Sequence, residues 1–129
     1  MVQRNRNAVL DRLPTEHEEQ REFVSWFRKT HQGTRIFAIP NGGARNIATA
    51  SKLKVEGVSR GVPDLYIPAW NVWVEMKRQK GGRVDDAQLD WHCYLTEVGH
   101  SVLVCQGFED AKEQITAWVR KQGESDGTA

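Results

Sequence analysis

Two periods of apolar residues alternate along this chain, and the switches between them mark out its elements. Residues 1–14 form a loose, flexible basic lead-in that ends at Pro14. Thr15 with Glu18 three residues later is a capping-box pattern, and Phe23, Val24, Trp26 and Phe27 then share one helical face. The spacing predicts a helix to about Thr30. Residues 35–39 (RIFAI) read as a strand, residues 40–43 (PNGG) as a loop, and residues 46–56 as a second helix stopped by Gly57. Two short strands follow, 64–68 (DLYIP) and 72–77 (VWVEMK), and then a basic, glycine-containing loop over 78–83. Asp85 as N-cap with Gln88 at N3 opens a third helix, which presents Gln88, Trp91, Leu95 and Val98 on one side and stops at Gly99. Residues 100–105 (HSVLVC) have the continuous apolar run of a buried strand. Gly107 breaks it, and residues 109–121 form a last helix using Ala111, Ile115, Trp118 and Val119. The tail, 122–129, reads as disordered. The order αβαββαβα has about four strands, whose faces only the helices can cover. It predicts a small α/β domain over residues 15–121.

At 129 residues the chain has the length of one domain with a real core. Its 39% hydrophobic and 27% charged content excludes a disordered or fibrous protein. No run approaches the roughly 18 apolar residues of a membrane span. The N-terminus carries no apolar h-region, so no signal peptide is expected. Cys93 and Cys105 sit in apolar contexts and read as reduced core thiols, which points to the cytoplasm. The net charge of +1 hides a segregation: residues 1–40 carry +2, residues 41–83 carry +5 and residues 84–129 carry −6. The basic middle is the segment suited to a polyanion, although chance clustering on a solvated surface explains charge alone equally well.

Five positions carry more polarity than a core wants. Along 72–77, Val72, Val74 and Met76 point to one face of a sheet and Trp73, Glu75 and Lys77 to the other. A carboxylate and an ammonium thus share a face at the end of an apolar strand, which by itself is a common surface ion pair. Asp64, after Pro63, lies eleven residues before Glu75. If the two strands form a hairpin, both carboxylates converge at one sheet edge, where a hard divalent cation suits them. A neighbouring lysine suits a metal-activated water. Asp after Pro is also an ordinary turn residue. On the first helix Glu19 falls about 40° from Phe23, between Trp26 and Phe27, so it faces inward where Glu18 and Glu22 do not. Its first-turn position equally suits a solvated carboxylate near the helix dipole. Gln88 shares the Trp91 and Leu95 side, either as a capping partner alone or as an inward polar group.

Glu19, Pro63-Asp64, Glu75-x-Lys77 and Gln88-x-x-Trp91 together form an ordered pattern that resembles the PD-(D/E)xK nuclease superfamily. More narrowly, IPNGGAR (39–45), ATASKLKVEGVSRGVPDLYIP (48–68), VEMKRQKGGRVDDAQLDW (74–91) and GHSVLVCQGFEDA (99–111) resemble the signature blocks of the VRR-NUC family in its short, stand-alone phage and bacterial form. The likeness covers roughly residues 15–120. Asp85 stands where that family often has Ser, and it caps a helix equally well. The resemblance implies a restriction-endonuclease-like core around a small mixed sheet. It implies that Asp64, Glu75 and the backbone carbonyl of Met76 hold Mg²⁺ or Mn²⁺, and that Lys77 orients or activates the attacking water. Glu19 would complete the site through metal-bound water, preferred over Glu16 and Glu18 for its position and its pairing with Gln20, and Gln88 would support Lys77. The reaction implied is hydrolysis of a DNA phosphodiester to 5′-phosphate and 3′-hydroxyl ends. Short members look like homodimers acting on branched DNA, similar to Holliday-junction resolvases. Trp70 and Trp73 are candidates for such an interface or for ordinary core packing.

Arg45, Lys52, Lys54, Arg60, Arg78, Lys80 and Arg83 flank these positions and are candidate phosphate contacts, while Asn41, Gly42 and Gly43 would let a backbone approach DNA closely. Other readings are a flap-cutting, nicking or exonucleolytic nuclease, and a non-catalytic DNA-binding protein that keeps the fold. The intact Asp64, Glu75 and Lys77 weigh against the last. His17, His31, His92, His100 and the cysteines show no zinc-ligand spacing, and without a P-loop no nucleotide cofactor is expected.

Overall fold

The computed structural model describes residues 12–40 and 47–127. Its elements are α1 (Glu16–Thr30), β1 (Phe37–Ala38), α2 (Ile47–Val55), β2 (Leu65–Ile67), a 3₁₀ turn (Pro68–Trp70), β3 (Val72–Lys77), α3 (Asp86–Glu97), β4 (Ser101–Gln106) and α4 (Phe108–Gly127). This is the predicted order. Asn41, Gly42, Gly43 and Arg45, and most of the basic lead-in, lie outside the described residues.

Both predicted capping boxes form. Thr15 and Glu18 exchange side-chain and backbone hydrogen bonds at the start of α1, and Asp85 and Gln88 do the same at α3. Each box satisfies two backbone N–H groups that the helix itself leaves unpaired.

The four strands form one mixed sheet in the order β1-β2-β3-β4. The first two pairings are antiparallel and β3 runs parallel to β4, with α3 as the crossover. Leu65 pairs with Val74, so the same register sets Asp64 opposite Glu75. The inward face of β2 and β3 (Leu65, Ile67, Val72, Val74, Met76) packs with Phe23 and Phe27 of α1 and with Ala111 and Ile115 of α4 as the core. The opposite face carries Tyr66, Trp73, Glu75 and Lys77. Glu75 and Lys77 are buried there as well.

Several boundaries differ from the sequence prediction. The first strand keeps two of its five expected residues, because β2 offers it a partner over Leu65 and Tyr66 only. The second strand ends at Ile67, since Pro68 has no N–H for a ladder and starts the 3₁₀ turn instead. Helix α4 runs to Gly127 where a disordered tail from residue 122 is predicted. Once its first turns are docked on the sheet, each further residue adds a hydrogen bond without a new nucleation cost.

Side-chain placements also differ. Val98 is exposed, because α3 ends at Glu97 and the next residue turns away from the inward side. Cys93 is exposed on α3, whereas Cys105 is buried and its thiol is pushed up to about 12 by that burial. Trp70 packs against Phe27, His31 and Trp118, an internal aromatic cluster and not a free interface. No helix among the described residues is long and apolar enough to cross a membrane.

Candidate active site

The polar residues predicted from alternation meet at the C-terminal end of β3. Asp64, just before β2, turns its carboxylate across the hairpin, where Oδ2 accepts the Met76 N–H at 2.7 Å. Its backbone carbonyl accepts the Ile39 N–H at 2.8 Å, so the residue is held by its main chain as well as by its carboxylate. Glu75 is opposite, only 1% exposed. Its pKa is pushed up to about 9: burial is the main cause, Asp64 and more weakly Glu16 raise it further, and Lys77 opposes them. Two facing carboxyl groups, one deeply buried, thus lack full cationic compensation among the described residues.

Lys77 is buried at 7% exposure, and its Nζ donates to Gln88 Oε1 at 3.0 Å. The same oxygen accepts the Asp85 N–H at 2.9 Å. Gln88 therefore serves both uses that its position allowed: it closes the capping box of α3 and aims the lysine. His92, one turn further along α3, places Nε2 3.2 Å from Glu75 Oε1. Burial lowers the pKa of His92, Lys77 lowers it further and Asp64 opposes the change. Sequence reading missed this residue as part of the site, although its four-residue spacing from Gln88 puts it on the same inward side of the helix.

Two acids of α1 take different places. Glu19 does face inward, at 4% exposure, but it accepts the Phe108 N–H at 3.2 Å and so caps the start of α4. Its Oε2 is buried without a hydrogen-bond partner among the described residues. A side chain at Gly107 would lie 2.6 Å from that oxygen, and Gly107 is at φ +96°, so this corner needs glycine. Glu16 instead belongs electrostatically to Asp64, Glu75 and Lys77. Desolvation raises its pKa first, and Lys77 lowers it, Asp64 raises it and Arg78 lowers it in turn. The signal was available, because Glu16 is seven residues before Phe23 and falls only about 20° from it on the helix. The two acids share one side of the helix, and height along the axis separates them: Glu19 is buried, whereas Glu16 is exposed in the first turn.

Glu16 and Lys77 share a cleft of about 650 Å³ with Arg12, Arg78, Lys80 and Arg83. Arg12 is engaged by Glu18 at 2.9 Å. Of the candidate phosphate contacts among the described residues, Arg78, Lys80 and Arg83 are thus gathered beside Lys77 and Glu16. Lys52 and Lys54 stand exposed on α2, away from this cleft. Arg60 is also exposed and faces Asp85 at 3.6 Å.

The donor set here is two carboxylates and main-chain carbonyls. Among the described residues no three His, Cys, Asp or Glu side chains converge as a metal cluster. Two carboxyl groups with few further ligands suit Mg²⁺ or Mn²⁺, which retain water and accept phosphate oxygens, and the uncompensated Asp64–Glu75 pair fits such a cation.

The fold and the motif order agree with comparisons against known proteins. No curated protein matches the chain. A solved structure described as a VRR-NUC domain protein superposes with a TM-score of 0.71 at 24% identity, covering 84% of this chain and 91% of that one. The VRR-NUC domain family model matches residues 2–109, reaching further toward the N-terminus than the predicted 15–120 and ending at the first turn of α4. With that match over most of its length, the chain belongs to the VRR-NUC family and carries a nuclease-type domain.

Proposed function

We propose that this protein is a divalent-metal-dependent DNA endonuclease. The observation that carries the reading is the convergence of Asp64 and Glu75 across the β2–β3 hairpin, with Lys77 on the same strand face and a basic cleft beside them. The Asp64 and Glu75 carboxylates and the Met76 carbonyl are the groups that would hold the ion. Bound Mg²⁺ or Mn²⁺ supplies Lewis acidity that offsets charge on the phosphoryl group and lowers the pKa of water. Lys77, aimed by Gln88, orients the attacking water. Glu16, at the mouth of the site, is the acid of α1 suited to hold that water from the other side. Arg78, Lys80 and Arg83 take the phosphates that flank the scissile bond. Hydrolysis leaves 5′-phosphate and 3′-hydroxyl ends.

No base-reading element accompanies these residues among those described, so recognition rests on DNA shape and charge. Branched DNA, the four-way junction first, is the substrate proposed, cut by a homodimer whose two sites would give paired nicks. The half-buried Trp73 remains the candidate for the interface. Its ring lies 4.2 Å from that of Tyr66, tilted by 31°, and its Nε1 donates to His100 Nδ1 at 2.8 Å.

The test compares the purified protein on four-way junctions, flaps, single strands and linear duplex with Mg²⁺, Mn²⁺ or EDTA. Metal-dependent cutting of the junction in preference to duplex is expected, lost in Asp64→Asn and Lys77→Ala. Equal cutting of all substrates overturns the branched preference. Cutting unchanged in those two variants overturns the site.

A further inference from the structure

Helix α3 crosses the catalytic strand with two polar side chains one turn apart. Gln88 holds Lys77, and His92 lies 3.2 Å from Glu75 Oε1. His92 is 9% exposed and Glu75 1%, so water does not substitute freely for this contact. The helix start is fixed by its capping box, which includes Gln88 itself. It is fixed again from below by Gly61, where an added Cβ would lie 2.6 Å from the Ala87 backbone. The frame that carries both side chains is therefore set by backbone contacts on two sides.

We propose that His92 is a positioning residue for Glu75: its Nε2–H holds one carboxylate oxygen and leaves the other directed at Asp64, where a divalent cation is taken up. The proposal rests on the assignment of Asp64 and Glu75 as metal ligands. A glutamate at a metal site with neither oxygen fixed spends its time among several rotamers, and an apolar neighbour would leave Oε1 buried without a partner. Groups that orient a metal ligand in this way typically change metal affinity by about 10–100-fold when removed. Lys77 and Glu75 are then each set by one side chain of the same helix, so lysine and carboxylate keep their mutual geometry when DNA enters.

The test is Mn²⁺ binding to the full-length protein without DNA, read from the free-Mn²⁺ electron paramagnetic resonance signal. Circular dichroism and the thermal midpoint accompany it. His92→Phe keeps a ring of similar shape and removes the donor. His92→Gln returns an N–H near the position of Nε2. The expected result is a 10–100-fold weaker Mn²⁺ Kd in His92→Phe and a Kd within about threefold of the unsubstituted protein in His92→Gln. Should His92→Phe fail to fold, His92→Leu takes its place in the same comparison. A Kd in the donor-less variant within twofold of the unsubstituted protein overturns the proposal. So does a His92→Gln Kd as weak as that of the donor-less variant, which would make the role one of shape. If the unsubstituted protein takes up no Mn²⁺, or Glu75→Gln does not abolish uptake, the ligand assignment itself fails. If those controls hold and only the His92 comparison fails, the ligands stand and the role of His92 falls.

Discussion

Gly61 offers the sharpest quantitative check on how α3 is held against the site. It lies in the loop before Asp64 at φ +93°, and an added Cβ would sit 2.6 Å from both C and O of Ala87 and 2.9 Å from the Gln88 nitrogen. These are backbone atoms of the first turn of α3, so the contact cannot be relieved by turning a side chain. Placing alanine at positive φ costs of order 1–2 kcal/mol. Forcing the helix start and the loop apart adds about 1–3 kcal/mol, as in other overpacked sites. A total near 3 kcal/mol, with a urea m value of about 2 kcal/mol/M, lowers the unfolding midpoint by roughly 1.5 M. Gly99 is the control. It has nearly the same φ, +95°, with nothing within 4 Å of its added Cβ, so Gly99→Ala reports the backbone cost alone, about 0.5 M. Tryptophan fluorescence in urea measures both. Gly61→Ala is also expected to lose at least tenfold in cleavage rate while still folded, since the displaced turn carries Gln88 and with it Lys77. Midpoints for Gly61→Ala and Gly99→Ala within about 0.3 M of each other would refute the claim that Gly61 seats α3.

Three further outcomes are expected. Glu75 has a folded pKa of about 9 against an ordinary 4.5, so folding favours its protonated form. Its contribution is complete below about 4.5 and drains as pH rises toward 9, so the urea midpoint in EDTA should fall between pH 6 and 9. Glu75→Gln should flatten that decline, and an unchanged slope in the variant would show that other groups cause it. Glu16→Gln should cut cleavage by about 10-fold or more with little change in stability. Glu19→Ala should cost about 1–2 kcal/mol by uncapping α4, and reversal of this pattern would make Glu19 the catalytic acid of α1. Arg78→Ala, Lys80→Ala and Arg83→Ala should each reduce the salt slope of DNA binding by about 1, whereas Arg60→Ala should leave it unchanged. An equal effect of Arg60→Ala would move the DNA path away from the cleft.

What the sequence determined is what local chemistry decides. The capping boxes at Thr15–Glu18 and Asp85–Gln88 began their helices where expected, because the bonds that make a cap lie within four residues. Strict alternation along β3 put Glu75 and Lys77 on one face whatever the rest of the chain did. The hairpin register then set Asp64 opposite Glu75. What only the tertiary structure decided depends on distances between elements remote in sequence. The angle of a residue around α1 is fixed by helical geometry, and it places Glu16 and Glu19 on one side of the helix, with Glu16 exposed and Glu19 buried. Their difference is about 4.5 Å of height along the axis. That height brings Glu16 to Asp64 and Lys77 and carries Glu19 to Phe108, 89 residues away. The docking of α3 likewise made His92 a neighbour of Glu75 and left Cys93 in solvent. The folding of the 78–83 loop gathered Arg78, Lys80 and Arg83 at one cleft while Lys52, Lys54 and Arg60 stayed outside it. A single helix or strand specifies directions about its own axis, and it takes the packing of one on another to turn directions into contacts.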